Sequence, residues 1–352
     1  MKIKIDERLV GHLRAEFEGK QANQRFRPLI EAVIDVAHRP GKRVRPLLFL
    51  LSVQALRESD EQQGEIKESG LIDVAVALEL MHAFILVHDD IIDRSEERRG
   101  RPSLHRLLAS ELPPTASDEV GDHLALVMGD VLFALAQRLV LQADLPAEIR
   151  CRLGERILGY MADTGFGENA DILFSTRDLT HVGREEIEEM YWLKTTRYSI
   201  ECPMVLAALL IGMEDRHCHD LIEVARPLGM AFQMQNDLKD FFVGQDSRGS
   251  IPNDLQEGKK TLLLREAWER LDGSDAEQGI LQLCLSQRPP NDTTISMVQD
   301  LVVKSGAVLA MEERIQRSFL ESQYRLEASS LSASQKEGVR SLVDLVKKVL
   351  SK

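Results

Sequence analysis

The sequence predicts an all-α fold, and three observations support this prediction. Apolar residues recur at spacings of three and four along nearly all of the 352 residues, which is the period of an amphipathic helix. Runs of alternating β-branched residues, which would indicate strands, are absent. The breaks between periodic segments, at 39–41, 113–114, 243–258 and 289–292, are too short for interdomain linkers. We therefore expect one domain over residues 1–352.

The predicted helices follow one another along the whole chain. Proline is favoured at the first position of a helix, so we expect Pro46 to open the third one. The predicted ranges are 5–17, 26–38, 46–57, 69–93, 120–142, 146–164, 185–211, 217–242, 260–271, 277–286, 294–328 and 333–350.

Composition restricts the class of protein. With 43% hydrophobic and 29% charged residues the chain is globular, and its net charge of -13 argues against nucleic acid or an anionic membrane as the main partner. The N-terminus has no apolar leader, and no apolar stretch approaches the roughly 18 residues of a membrane span, so we expect neither export nor a span. The cysteines show no metal-binding spacing, so we expect buried, inert thiols in a reducing, cytoplasmic compartment. These cysteines are Cys151, Cys202, Cys218 and Cys284.

An apolar helical run ends in carboxylates at residues 89–93. Asp89 and Asp93 are four residues apart, so both lie on one face of the helix, about one turn from each other. Paired carboxylates suit a hard cation such as Mg²⁺, which completes its shell with water and phosphate oxygens. A solvated acidic helix end is the alternative interpretation of such a motif when it stands alone.

A second apolar run ends in the same way. Asn236, Asp237 and Asp240 close the segment that begins at Gly229, again with acids on one helix face. Two such helix ends facing each other would hold metal ions around a polyanion. We therefore infer a diphosphate bound through Mg²⁺.

Two basic stretches suggest further anion sites. Lys42, Arg43 and Arg45 precede a predicted helix, whose N-terminus favours a bound anion. Arg98 and Arg99 follow the first acidic motif, and arginine pairs bidentately with phosphate oxygens. A basic surface turn and favourable contacts with the helix dipole are the structural alternatives.

Five motifs in this order resemble the trans-isoprenyl diphosphate synthase (polyprenyl synthetase) family. The similarity extends from about residue 38 to 265, and five motifs in register are far more specific than any one of them. The motifs are GKRVRP (41–46), HxxxxxHDDIID (82–93), RRGRP (98–102), GxxFQxxNDLKD (229–240) and the segment from Asp254 to Thr261 with GKKT.

The resemblance implies a fold, an activity and a set of site residues. Family members join an allylic diphosphate to isopentenyl diphosphate, as homodimers, in an all-α barrel of antiparallel helices around a deep central cavity (the isoprenoid synthase fold). By resemblance, the sites consist of Asp89, Asp93, Asn236, Asp237 and Asp240 for Mg²⁺; Arg98, Lys194 and Lys259 for the allylic diphosphate; Lys42, Arg45, His82 and Arg99 for isopentenyl diphosphate; and Thr195 and Gln233 beside the carbocation.

The chain departs from the family pattern at three places. Asn236 stands where most members have a metal-binding Asp, so we expect weaker metal affinity there. Glu168 replaces the commoner Gln. The segment 247–250 lacks a frequent lysine, for which Arg248 is a possible substitute.

Product length is predicted from helix geometry. Phe84 lies five residues before Asp89, about 7.5 Å deeper along the helix at 1.5 Å per residue, so its ring would form a floor beneath the growing prenyl chain. By resemblance, a bulky residue here indicates a short product, with C20 favoured and C15 next. The alternatives are that Phe84 only packs in the core, or that Ile85 or Leu126 forms the floor.

Two other functions stay open. A class I terpene cyclase also uses acidic helices with Mg²⁺, and Asn236 resembles the start of its NDxxSxxxE motif, although Asp240 and Gly244 leave that motif incomplete. A non-catalytic partner subunit is the other alternative, but such subunits tend to lose the acidic motifs.

Overall fold

The computed structural model describes residues 1–20, 24–57, 66–113, 115, 117–242, 252–287 and 290–350. These residues are mainly helical, which confirms the all-α class. The chain divides into two compact units. The first unit contains Met1–Gln54, Glu58–Glu155 and Leu209–Ile211, and the second contains Ala55–Arg57, Arg156–Ala208 and Gly212–Lys352. The single domain over 1–352 stays a prediction, and each unit is described by itself.

The elements up to residue 175 include the first acidic helix. One very short hairpin interrupts the helices directly after it. The elements are α1 (Lys2–Glu16), α2 (Arg27–His38), α3 (Val44–Leu56), α4 (Glu68–Ile92), β1 (Glu97–Arg98), β2 (Arg101–Pro102), α5 (Leu104–Ser110), α6 (Asp118–Gln142) and α7 (Ala147–Ser175).

The remaining elements include the second acidic helix, α10. A 3-10 turn at Leu179–His181 precedes α8, and a π-helical turn at Trp192–Glu201 joins α8 to α9. The helices are α8 (Arg184–Tyr191), α9 (Cys202–Leu210), α10 (Asp215–Phe241), α11 (Asn253–Gln256), α12 (Leu262–Arg270), α13 (Asp275–Ser286), α14 (Asp292–Lys304), α15 (Ala307–Ala328) and α16 (Ala333–Leu350).

Most predicted helices are confirmed, with differences at their ends. The segment predicted as one helix over 294–328 is two helices, which are separated at Gly306. Helix α3 begins at Val44, so the prediction that Pro46 opens it is wrong: Pro46 lies in the first turn, where its missing N–H costs no hydrogen bond. Helices α5 and α11 and the hairpin were not predicted, because all three are too short to show a period in the sequence.

Helix packing positions the acidic segment of each unit. In the first unit α4 packs along α6, and most of α4 is buried between Gly70 and Val87. In the second unit α10 packs against α15 and against the π-helical turn. Both acidic segments are therefore the polar ends of helices that apolar contacts hold in place.

Two helices are more apolar than we expected. By length and composition alone, α4 and α6 each qualify as candidate membrane spans, and the bent pair α14 and α15 qualifies when taken together. The prediction that no apolar stretch approaches the length of a span is therefore wrong. Protein atoms bury 67% of the apolar window in α4 and 39% of that in α6.

The cysteine prediction is confirmed for three residues. Cys202, Cys218 and Cys284 are buried free thiols, whereas Cys151 is free but exposed. Burial raises the pKa of the Cys284 thiol to about 11, which keeps it protonated and inert near neutral pH.

Candidate active site

The acidic segment of the first unit closes α4. The backbone N–H of Asp93 donates to the carbonyl of Asp89 over 2.8 Å, so these residues are one helical turn apart, as the spacing predicted. Asp93 is buried and Asp89 is half-buried. The two carboxylates thus lie at one helix end, partly removed from water.

Arg98 neutralises part of this acidic helix end. Its Nε donates to Oδ1 of Asp90 over 2.7 Å, its Nη2 contacts the same oxygen, and a weaker contact of 3.4 Å reaches Asp89. Burial raises the pKa of the Asp90 carboxyl to about 6; Asp89 and Asp93 also raise it, and Arg98 opposes them. The sequence indicated no role for Asp90, and the structure identifies it as the partner of Arg98.

The hairpin after α4 carries three arginines, Arg98, Arg99 and Arg101. Arg98 pairs with Arg101, and the two residues between them, Arg99 and Gly100, have φ values of 59° and 71°. Two consecutive positive φ angles are typical of a type I′ turn, which glycine adopts easily and arginine does not. Such strain at a non-glycine residue persists only where surrounding contacts fix it, and it often accompanies a functional site.

The contacts of Arg99 bring the two basic motifs together. Its Nη1 donates to the carbonyl of Arg39 over 2.9 Å, and Nη1 of Arg39 donates to the carbonyl of Arg98 over 3.2 Å. A Cβ built on Gly41 would lie 2.7 Å from the Arg99 guanidinium, so any larger residue at position 41 would displace the end of that side chain. The GKRVRP and RRGRP motifs are therefore in direct contact.

His82 lies among the basic groups of this region. Burial lowers its pKa well below the usual range, and Arg45, Arg99, Arg98 and Arg43 lower it further. The imidazole is therefore neutral at physiological pH. We call Arg45, His82, Arg98 and Arg99 the basic cluster; it suits an anion because positive charge is concentrated there with partial burial. Lys42, also predicted for this site, is exposed.

Arg43 does not belong to the anion site that we inferred for it. Its guanidinium is buried and binds Glu79 Oε1 at 2.6 Å and Asp6 Oδ1 at 2.7 Å. It also donates to the carbonyls of Ala37 and His38. The protein's own carboxylates therefore occupy Arg43, and its role is structural.

Phe84 packs in an aromatic group on α4 and α6. Its ring centroid lies 4.6 Å from that of His88 and 5.1 Å from that of Phe133. Phe84 and Ile85 are both half-buried, whereas Leu126 is 44% exposed. Phe84 thus contacts the core on one side, and its role in chain length stays a prediction.

A π-helical turn carries the predicted substrate residues of the second unit. Lys194 and Thr195 lie within Trp192–Glu201, where each turn holds more residues than in an α-helix, and such turns frequently occur at functional sites. Two glycines permit close backbone approach: a Cβ on Gly167 would lie 2.2 Å from the backbone N of Lys194, and one on Gly229 would lie 2.2 Å from Thr196.

The two predicted lysines share a carboxylate. Lys194 Nζ lies 2.6 Å from Asp171 Oδ2 and 2.9 Å from Glu168 Oε2, and Lys259 Nζ lies 3.9 Å from the same Asp171 oxygen. Asp171 is buried, so it fixes the position of both ammonium groups. Asp171 therefore brings Lys194 and Lys259 together. Glu168 forms an ion pair with Lys194, whereas the Gln that is commoner at this position in the family would contact the lysine without a charge.

Asp237 is buried and fully engaged by hydrogen bonds. The Tyr191 hydroxyl donates to Oδ2, and Gln233 Nε2 donates to Oδ1 over 2.8 Å. The Tyr191 oxygen also accepts from the backbone N–H of Leu262 over 2.9 Å. Tyr191 was missed because a single tyrosine in an apolar helix has no distinguishing pattern. Gln233, predicted beside the carbocation, supports Asp237 in this structure.

The other acids of this unit also lie in a region poor in water. Asp240 accepts from the backbone N–H groups of Asn253 (3.3 Å) and Asp254 (3.0 Å). Burial raises the pKa of Asp240, and burial together with Asp240 raises that of Asp254 well above its usual range. Asn236 is half-buried on the same helix. The segment 247–250 and Gly244 lie outside the described residues.

Each unit has carboxylates that fit a divalent cation. Among the described residues, no three His, Cys, Asp or Glu side chains are gathered to hold a metal by themselves. Mg²⁺ commonly takes only one or two carboxylates and completes its shell with water and phosphate oxygens. Burial, with a smaller effect of neighbouring carboxylates, raises the pKa of Asp90 to about 6 and that of Asp237 to about 7, and a cation nearby would favour the ionised forms. The donor sets are therefore compatible with Mg²⁺ bound together with a phosphorylated ligand.

Gly167→Ala should displace the π-helical turn, because its Cβ would collide with the backbone of Lys194. We expect a fall in melting temperature and a loss of catalytic activity of at least tenfold. Gly165→Ala on the same helix is the matched control, since a Cβ there meets no atom within 4 Å. Equal activity of the two variants would contradict the close approach.

The buried Asp237 carboxyl should make stability depend on pH. Burial, together with the neighbouring acids Asp171 and Asp240, raises its pKa to about 7 against the opposing effect of the hydrogen bonds from Tyr191 and Gln233. In the unfolded chain the value is about 3.9. The folded state thus holds this proton more tightly, and the stability it contributes is fully present below pH ~4 and lost as the pH rises through ~7.

Asp237→Asn removes this titration. Without metal, its free energy of unfolding relative to wild type should increase between pH 5 and pH 8, as measured by urea denaturation. Asp275→Asn on the exposed start of α13 serves as the control and should follow wild type. A constant difference between Asp237→Asn and wild type over this range would show that Asp237 is already ionised at pH 5.

Comparison with known proteins identifies the family. The polyprenyl synthetase family model matches residues 27–302. A short chain isoprenyl diphosphate synthase from Methanothermobacter thermautotrophicus is 31% identical over 68% of this chain and 66% of its own length. A geranylfarnesyl diphosphate synthase from Natronomonas pharaonis is 27% identical over 76% of this chain and 74% of its own length. The match thus spans about two thirds to three quarters of these relatives.

The fold is also found in solved structures. The crystal structure of geranylgeranyl pyrophosphate synthase from Corynebacterium glutamicum, complexed with isoprenyl diphosphate and magnesium, superposes with a TM-score of 0.86. The two sequences are 23% identical, and the superposition covers 97% of this chain and 96% of the synthase chain. This likeness supports the isoprenoid synthase fold, and the family model covers most of the chain. The chain therefore belongs to the polyprenyl synthetase family of prenyltransferases.

Proposed function

We propose that the protein condenses isopentenyl diphosphate head to tail with an allylic diphosphate, in the presence of Mg²⁺, to give a short-chain prenyl diphosphate. The observation that carries this proposal is the close approach of Arg99 in RRGRP to Gly41 in GKRVRP, beside the acidic end of α4, together with the hydrogen bonds that join the adjacent Arg39 to Arg98 and Arg99. An anion site next to a pair of carboxylates suits a reaction of two diphosphates. Synthases among the relatives support it.

The first unit supplies side chains for both substrates in this proposal. Arg45, His82 and Arg99 of the basic cluster, with the exposed Lys42, bind isopentenyl diphosphate. The neutral His82 donates a hydrogen bond without adding charge, while the arginines compensate the phosphate oxygens. Arg98 exchanges its contacts with Asp90 and Asp89 for contacts with the allylic diphosphate when that substrate binds.

The second unit supplies Lys194 and Lys259 to the allylic diphosphate. Breaking the allylic C–O bond places negative charge on the departing diphosphate, which the ammonium groups stabilise. Thr195, buried in the π-helical turn, and Gln233 present weak dipoles to the allylic cation without a strong nucleophile. The alkene of isopentenyl diphosphate then forms the new C–C bond, and the departing diphosphate takes the proton that is released.

Mg²⁺, when bound, would neutralise the diphosphate and strengthen it as a leaving group. Asp89 and Asp93 in the first unit, and Asn236, Asp237 and Asp240 in the second, are the groups that we propose to hold it. The amide of Asn236 offers an oxygen with less charge than a carboxylate. Both oxygens of Asp237 already accept from Tyr191 and Gln233, and both oxygens of Asp240 accept from backbone N–H groups, so a cation would share these oxygens with their present donors.

Phe84 is the proposed floor of the prenyl cavity, with C20 as the favoured product and C15 next. Its contacts with Phe133 and His88 would hold the ring in place. The names of the relatives range from short chain to geranylfarnesyl diphosphate synthases, so relationship alone does not fix the length. A terpene cyclase, the other proposed reading of the acidic motifs, would have no use for the basic cluster.

A homodimer in the cytoplasm is likewise a proposal. Its support is the row of exposed apolar side chains on α6, which includes Leu126, Val127 and Leu141, together with the four free cysteines.

The direct experiment supplies the purified protein with isopentenyl diphosphate, Mg²⁺ and one allylic starter at a time. Dimethylallyl, geranyl and farnesyl diphosphates serve as starters, and mass spectrometry reads the product. We expect condensation that stops at C20 or C15. Cyclised hydrocarbon would favour a terpene cyclase, and the absence of any product would favour a non-catalytic partner subunit.

Asp89→Ala should lower the condensation rate by at least a hundredfold, because it removes a proposed metal ligand from α4. The rate is measured with radiolabelled isopentenyl diphosphate over a range of Mg²⁺ concentrations. Asp118→Ala at the exposed start of α6 is the matched control and should retain the wild-type rate. An unchanged rate in Asp89→Ala would show that the metal role is wrong.

Phe84→Ala should lengthen the product, because removing the ring opens space beneath the growing chain. Phe84→Leu should give an intermediate shift, since it removes less volume. Phe133→Ala tests whether the neighbouring ring supports Phe84. Product distributions are read by mass spectrometry, and an unchanged distribution in Phe84→Ala would place the floor elsewhere.

A further inference from the structure

One side-chain hydrogen bond joins the two ends of the π-helical turn. Trp192 is the first residue of the turn and Glu201 is the last. The indole Nε1 of Trp192 donates to Glu201 Oε1 over 2.7 Å. The segment between them contains Lys194 and Thr195, which are two of the proposed substrate contacts. The hydrogen bond therefore links the two ends of that segment.

Glu201 is an unusual residue for a fully buried position. Its residue exposure is 0%, and among the described residues its Oε2 has no hydrogen-bond partner. Leaving a buried carboxylate oxygen unsatisfied is costly, and an apolar residue at this position would avoid that cost. Burial raises the pKa of Glu201, while Arg197 and Arg226 oppose the shift. No step of the proposed reaction uses this carboxylate, so its presence calls for another role.

The indole is fixed on its faces as well as at its N–H. The guanidinium of Arg197 lies 4.7 Å from the Trp192 ring centroid and that of Arg226 lies 4.5 Å from it. Arg197 also lies 5.1 Å from the Tyr160 ring and forms an ion pair of 2.7 Å with Asp163. Cation–π contacts of this kind restrict the indole to one orientation.

We propose that Trp192 and Glu201 are positioning residues, whose hydrogen bond holds the π-helical turn in the shape that places Lys194 against the allylic diphosphate. A π-helical turn is rare and needs support from outside its own backbone. Gly167 leaves room for the backbone of the turn and Gly229 for the Thr196 side chain, while the Trp192–Glu201 hydrogen bond connects the two ends of the turn. The inference rests on the proposed binding of diphosphate by Lys194.

The test compares three variants with a matched control. Glu201→Gln keeps an oxygen that accepts from the indole, Glu201→Leu removes it, and Trp192→Phe keeps a ring but removes the donor. Glu188→Leu is the control, because this residue of α8 also pairs with an arginine, Arg314, but lies outside the turn. Thermal unfolding of each variant shows whether it is folded at the assay temperature.

Binding is measured by calorimetry with inorganic diphosphate and Mg²⁺, which requires no turnover. We expect Glu201→Leu and Trp192→Phe to bind about tenfold more weakly than wild type, as loss of a hydrogen bond to a charged group predicts. Glu201→Gln and Glu188→Leu should stay within about twofold. In steady-state kinetics the KM for the allylic diphosphate should rise in the first two variants while the KM for isopentenyl diphosphate stays constant.

A spectroscopic signal reports on the bond itself. The chain has two tryptophans, so Trp268→Phe leaves Trp192 as the only indole. In that background Glu201→Leu should shift the emission maximum and Glu201→Gln should shift it less. Wild-type affinity in folded Glu201→Leu and Trp192→Phe would overturn the proposal, as would a Glu201→Gln variant that binds as weakly as Glu201→Leu.

The outcomes separate this inference from the proposed function. If wild type binds Mg²⁺ and diphosphate but condenses no substrates, the proposed function fails while the binding comparison still tests the Trp192–Glu201 bond. If Lys194→Ala binds diphosphate as wild type does, the role of Lys194 is wrong and the inference is overturned with it.

Discussion

The structure depends on keeping ionised groups at the ends of apolar helices, where water is scarce. Transfer of a carboxylate out of water is costly unless a partner compensates its charge. In the first unit Arg98 compensates Asp90. In the second unit hydrogen bonds from Tyr191 and Gln233 support Asp237. Burial nevertheless keeps the pKa of both carboxyls raised, and a cation bound nearby would favour their ionised forms.

The same constraint explains where the backbone is unusual. Among the described residues, the non-glycine residues with positive φ are Arg43, Arg94 and Arg99, and all three adjoin the basic or acidic motifs. Lys194 also lies in irregular backbone, because it belongs to the π-helical turn at Trp192–Glu201. Unfavourable conformations of this kind persist when buried contacts stabilise them. Most of the other described residues lie in helices that pack against these segments.

Local patterns in the sequence were sufficient to predict part of this arrangement. The spacing of Asp89 and Asp93 predicted one helix face, because periodicity is a local property. The role of Arg43 depends on Glu79, which lies 36 residues away in the chain, so no local pattern distinguishes it from Arg45. Tyr191 and Glu201 were missed for the same reason, since each is a single polar residue whose meaning comes from its partners in the fold.

We propose that the carboxylates at the end of α4, and separately those at the end of α10, bind divalent cations when a diphosphate is present. Mn²⁺ can replace Mg²⁺ for detection, and electron paramagnetic resonance counts free and bound Mn²⁺ as it is titrated with inorganic diphosphate present. The account predicts that Asp89→Asn and Asp240→Asn each reduce the number or affinity of bound ions relative to wild type. Identical Mn²⁺ binding in wild type and both variants would contradict it.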